Sequence, residues 1–199
     1  AKDPNDLLIQ KGAGANHHAI LNADWYPTGI VAVADFLEET MQEGIPFGLP
    51  DVDKVTGGAI GGQLIVLSGD NGAGKTTQAL NIAANFIDQG NPVFIWSGEQ
   101  RVGKIRYWFE RIAAGQNNLK RVIGEKTGFE YFFPMDDVVE NLRWWYREYL
   151  YQLTNMNVTP QEFFESAELA IRRFGCKLII IDNLMAFTGG EGEGYYQAQ

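Results

Sequence analysis

Eight residues constrain the fold of this chain more than any other feature. Gly69-Asp70-Asn71-Gly72-Ala73-Gly74-Lys75-Thr76 satisfies G-x-x-x-x-G-K-[ST]. The segment follows the apolar run Leu64 to Ser68, read as a strand, and opens a predicted helix from Lys75 to about Gln89. In such a loop the backbone N–H groups converge on phosphate, and the helix that follows adds the positive end of its dipole. Lys75 is suited to neutralise β- and γ-phosphate charge, and the Thr76 hydroxyl to ligate Mg²⁺. The expected nucleotide-binding set is Gly69, Asp70, Asn71, Gly72, Ala73, Gly74, Lys75, Thr76 and Thr77, for ATP or another NTP or dNTP with Mg²⁺.

A strand, loop and helix of this kind belongs to a parallel sheet, and the downstream pattern continues it. A strand at Pro92 to Ser97 precedes a helix at about Val102 to Ala114. A polar stretch at 116 to 128, a short strand at Tyr131-Phe132-Phe133, and helical segments at Asp137 to Gln152 and Thr159 to Phe174 lead to a strand at Lys177 to Ile181. The alternation predicts an α/β fold, a mainly parallel sheet flanked by helices. Ligands of such sheets gather beyond the carboxyl ends of the strands, and two acids sit there. Asp182 closes the last strand and is placed to hold Mg²⁺, through water; the plainer reading is a cap on the next turn. Glu99, just past Ser97, is placed to orient an attacking water as general base; the plainer reading is a solvated loop glutamate.

The 199 residues carry 16 Lys+Arg against 25 Asp+Glu, a formal charge of -9, so any nucleic-acid contact must be local or built by assembly. Cys176 is the single cysteine, which excludes an internal disulfide and a cysteine-based zinc site. The longest apolar run, Ile30 to Ala34, is five residues, far short of the roughly 20 that cross a bilayer, so no membrane partner is expected. His17 and His18 lie in a linker without a partner and read as solvated, and Trp144-Trp145-Tyr146 with Tyr149 and Tyr151 reads as core or subunit interface. Residues 1 to about 30 read as a linker. At 31 to 43 the recurrence of Val31, Val33, Phe36, Leu37, Thr40 and Met41 predicts an amphipathic helix closed by Gly44. A start at Ala1-Lys2-Asp3-Pro4 suggests a fragment of a longer polypeptide.

The run from Gly48 to Gly58, then Gly61-Gly62-Gln63-Leu64 and the phosphate loop, resembles the opening of the RecA-like motor domain in DnaB-type replicative helicases. Ser97-Gly98-Glu99-Gln100 resembles that family's next motif, whose glutamate is the catalytic base, and Leu178 to Asn183 with Leu184 resembles its Walker B strand. Upstream, Lys2 to Leu8 is similar to the end of a Toprim primase fold. Trp25 to Ile30 with the 31–43 helix stands where phage T7-type primase-helicases carry a linker helix that docks on a neighbouring subunit. The resemblance implies three parts: 1–30 as primase tail and linker, 31–44 as docking helix, and 45–199 as the first part of the motor. It also implies a P-loop NTPase with Lys75 and Glu99 as catalytic residues, Thr76 and Asp182 on Mg²⁺, and a homo-oligomeric ring, a hexamer, formed through 31–43. Single-stranded DNA is then the partner of the full-length protein, and the cytoplasm of a phage-infected bacterium, or an equivalent nucleic-acid-containing compartment, is its location. The family's DNA-binding loops, γ-phosphate sensor and arginine finger are expected beyond Gln199. A different class also fits the loop: a nucleotide-binding assembly module of the recombinase or circadian-clock ATPase type, in which ATP governs oligomer formation rather than unwinding.

Overall fold

A computed structural model of the chain describes residues 43–187; the predicted helix at 31–43 except its last residue, the primase-like segment Lys2 to Leu8 and the tail from Thr188 lie outside the described residues. The centre of the fold is β1 (Val93–Ser97), buried at all five positions, the pattern of a parallel strand covered on both faces. It pairs in parallel with β4 (Leu150–Gln152) on one side and β5 (Leu178–Asp182) on the other, giving the order β4-β1-β5. Successive side chains of a strand point to opposite faces, and β1 distributes its bulk accordingly. Val93 and Ile95 pack with Leu80, Ala83 and Phe86 of α2 (Lys75–Asp88) and Ile105 and Phe109 of α3 (Val102–Ala114). Phe94 and Trp96 face the other way, against Phe163, Ala167 and Ala170 of α5 (Pro160–Phe174). The result is a three-layer α/β fold with helices on both faces of a parallel sheet, the architecture that the RecA-like resemblance implies.

Local chemistry explains where the helices begin and end. Thr159 accepts the Glu162 backbone N–H while the Glu162 carboxylate reaches back to the Thr159 N–H, a capping box that starts α5, and Gly175 in the left-handed region ends it. The Thr159 backbone N–H and hydroxyl both donate to the Glu162 carboxylate and lower its pKa from the ordinary value. Nearer the N-terminal end, the Asp53 carboxylate of α1 (Pro50–Thr56) accepts the N–H groups of Phe47 and Leu49. That ties down the turn at Gly48 and seats Phe47 in the core against Phe86. The glycine-dense stretch before the phosphate loop thus holds a short helix, which glycine spacing alone does not announce.

Three sequence expectations need correction. The polar stretch 116 to 128 contains β2 (Leu119–Ile123), the antiparallel partner of β3 (Glu130–Pro134). The apolar Leu119, Val122 and Ile123 are interrupted by Lys120 and Arg121, whose exposed ion pairs to Asp136 and Glu130 obscure the strand pattern. The segment Asp137 to Gln152 is not one helix, because α4 (Asp136–Tyr146) ends and β4 follows. The Val93 N–H donates to Tyr149 O at 2.7 Å and the Leu153 N–H to Ile95 O at 3.1 Å. Pairing with the open side of β1 overrides helical periodicity there. Leu64 to Ser68 forms no strand: it has no pairing partner among the described residues, and Leu64 and Val66 are 90% and 75% exposed.

The aromatic cluster divides between core and surface. Trp145 stacks on Phe109 at 6.2 Å and Tyr146 meets the same ring edge-on at 5.2 Å, whereas Trp144 is exposed. The clamp between α3 and α4 is the buried Glu110, whose Oε1 accepts Arg143 Nε at 2.9 Å and the Tyr146 hydroxyl at 2.8 Å. Burial, then the hydrogen bond to Glu110, pushes the Tyr146 hydroxyl from 10.0 up to about 12. Its folded value lies above its unfolded one, so its contribution to stability is complete below pH 10 and is lost as the pH rises through about 12. Glu110→Ala strands two donors and should lower the unfolding free energy by about 1–3 kcal/mol in urea denaturation. Arg143→Ala should also destabilise, since it leaves the buried Glu110 carboxylate without its cation.

Candidate functional site

The phosphate loop leads directly into α2. Gly74, its N-cap, has φ 85° and Gly72 φ 79°, conformations that glycine adopts without strain; an added Cβ at either position would touch nothing, so the requirement is conformational. No side chain caps α2 and no acid stands in its first turn, whereas α1 and α4 carry Asp51, Asp53, Asp136 and Asp137 there. The first-turn N–H groups of a helix have no intrahelical acceptor, so this end suits an anion. Ala73 N–H donates to Asp70 O at 3.1 Å, closing the loop around Asn71 and Gly72. Lys75 Nζ lies along the loop, donating to Gly69 O at 2.9 Å and Asp70 O at 2.8 Å, where phosphate oxygens can replace the two carbonyls. Thr77 is exposed on the helix surface.

The acids arrive through the register of the sheet. Ser97 pairs with Asp182, and Gly98 N–H donates to Asp182 O at 2.9 Å, extending the ladder one step beyond the strands. That step sets Glu99 beside Asn183, and Asn183 Nδ2 donates to Glu99 Oε1. Asp182 turns toward the phosphate loop: Oδ1 accepts the Thr76 hydroxyl at 2.8 Å and Oδ2 the Ser97 hydroxyl at 3.0 Å. Lys75, Thr76, Asp182 and Glu99 thus gather at the carboxyl end of the parallel strands.

The hydroxyl of Thr76 and the carboxylate of Asp182 are hard oxygen donors of the kind Mg²⁺ takes. Among the described residues no group of three or more His, Cys, Asp or Glu could hold a metal ion. A cation at this pair would therefore rely on phosphate and water for its other positions, which is the habit of Mg²⁺. Two participants escaped the sequence reading. Ser97 is 1% exposed at the end of an otherwise apolar strand, and a polar residue at a buried strand position was the available signal. Asn183 offered none, since only the register brings it to Glu99.

The profile of the AAA domain family matches residues 35–198, more than four-fifths of the chain by those bounds. The chain belongs to this family of P-loop ATPases. Curated relatives match over shorter segments. DNA repair protein RadA of Mycobacterium tuberculosis is 38% identical over 71 residues, 35% of this chain and 15% of RadA. RadA of Bacillus subtilis is 33% identical over 96 residues, 48% of this chain and 20% of RadA. RadA of Campylobacter jejuni is 38% identical over 70 residues, 35% and 16%. The matched segment thus spans 15–20% of the length of these relatives. Among the described residues no helix of this AAA domain is long and apolar enough to cross a membrane.

If Lys75 serves the phosphates, Lys75→Ala removes a cation from a multiply charged cluster. Titration with a fluorescent nucleotide should then show at least a roughly tenfold weaker Kd. Equal affinities would remove Lys75 from the site.

Proposed function

We propose that this chain is the nucleotide-hydrolysing part of an ATP-driven DNA motor, a ring-forming helicase of the primase-helicase kind that couples NTP hydrolysis to translocation on single-stranded DNA. The observation that carries the hydrolytic half is the Thr76–Asp182 contact in the first turn of an uncapped helix, with Glu99 just past the ladder step from Gly98 to Asp182. In this reading the N–H groups of Gly72 to Thr76 and the Lys75 ammonium hold the triphosphate. Mg²⁺, when bound, draws off charge developing on the β- and γ-oxygens, and Thr76 and Asp182 are the residues that would hold it. Glu99 orients the attacking water and accepts its proton, with its carboxylate steered by the Asn183 amide.

Action on DNA is supported by partial similarity to proteins named for DNA repair and by the primase-like order of Lys2 to Leu8, linker, 31–43 segment and motor. Residues 31–43 then dock on a neighbouring subunit, a head-to-tail contact of the kind that closes into a ring. The second reading, a recombinase- or clock-type module in which bound ATP governs assembly rather than unwinding, draws its support from the same relatives, which are named for repair rather than replication.

Turnover of ATP by the 199-residue chain, with and without single-stranded DNA, tests the proposal. Without the arginine that the resemblance assigns to a neighbour, the rate should fall about 10³ to 10⁵ below that of a complete motor. Glu99→Gln should abolish the remainder while leaving nucleotide affinity unchanged. Vigorous turnover that survives Glu99→Gln would overturn the assignment of Glu99.

A further inference from the structure

Ser97 sits where the two acids of the site meet. It is fully buried, yet its hydroxyl is completely used: it donates to Asp182 Oδ2 at 3.0 Å and accepts the Gln100 N–H at 2.9 Å and the Glu99 N–H at 3.3 Å. One oxygen thus fixes the side chain of one acid and the backbone of the other. The two contacts to Asp182 act on different oxygens. Thr76 can offer a lone pair to the ion while its O–H still donates to Oδ1. Ser97, which is buried and takes no part in holding the ion, donates to Oδ2, and the second bond sets the rotation of the carboxylate.

We propose that Ser97 is a positioning residue of the nucleotide site, holding Asp182 toward Thr76 and Glu99 toward the attacking water through a single hydroxyl. This rests on the reading of Thr76 and Asp182 as the metal side of that site. Carboxylates that hold a cation are themselves oriented by hydrogen bonds, and losing such a bond typically weakens metal affinity 10- to 100-fold. A merely structural serine would behave differently, since its loss would weaken the whole site without regard to the metal.

The test measures affinity of the 199-residue chain for a fluorescent ATP analogue in Mg²⁺ and in EDTA, for the wild type and for Ser97→Ala, Ser97→Thr and Asp182→Ala. The wild type should bind more tightly in Mg²⁺, and Asp182→Ala should lose that gain. Ser97→Ala should lose about tenfold of it while matching the wild type in EDTA, which also shows that the phosphate loop remains folded. Ser97→Thr keeps the hydroxyl and should keep most of the gain. Ser97→Ala with the full gain overturns the proposal, as does equal weakening in Mg²⁺ and EDTA. If Asp182→Ala loses the gain and Ser97→Ala does not, only the role of Ser97 falls. A wild type indifferent to Mg²⁺ removes the metal reading of Asp182, and the role of Ser97 with it.

Discussion

The parallel ladder between β1 and β5 is the constraint on which the rest depends. Five paired positions from Val93 with Leu178 to Ser97 with Asp182 bring distant stretches of chain to a common end. A slip of one residue would turn every side chain of β5 to the opposite face. Ile180 would leave the cluster with α2 and α3, Ile179 and Ile181 would leave the cluster with α5, and Asp182 would no longer meet Thr76. The apolar alternation that builds the two cores therefore also aligns the acids. Packing energy in the sheet sets the accuracy of the chemistry at its edge.

Legibility in the sequence followed how local each signal is. The phosphate loop, α3 and α5 were readable because their determinants lie within a few residues: closely spaced glycines and helical apolar spacing. β4 was not, because Leu150, Tyr151 and Gln152 extend only in response to the unpaired side of β1, some 55 residues away in sequence. The same non-locality hid Asn183 beside Glu99. β2 was hidden by composition, since Lys120 and Arg121 make a hairpin strand look like a loop. The 31–43 helix, except its last residue, and everything drawn from the primase-like segment lie outside the described residues, and rest on sequence pattern alone.

Charge separates along similar lines. The formal -9 is a sum, while α3 carries Lys104, Arg106 and Arg111 and its single acid, Glu110, is buried and engaged with Arg143 and Tyr146. Lys104 and Arg111 lie over the rings of Tyr107 and Trp108, and Tyr107 meets Phe133 of β3 edge-on. These contacts tie the β2–β3 hairpin to the helix that follows the Glu99 loop. The hairpin is thus joined to the nucleotide end of the sheet through α3 rather than through the sheet itself.

The course of Leu64 to Ser68, without a pairing partner among the described residues, has a consequence for how the phosphate loop is held. The phosphate loop is anchored on its downstream side by α2 and the Thr76–Asp182 contact, while its upstream side is joined to apolar chain without ladder hydrogen bonds among the described residues. Among the described residues, then, the packing that builds the sheet holds the loop from its downstream arm, through Leu80, Ala83 and Phe86 of α2.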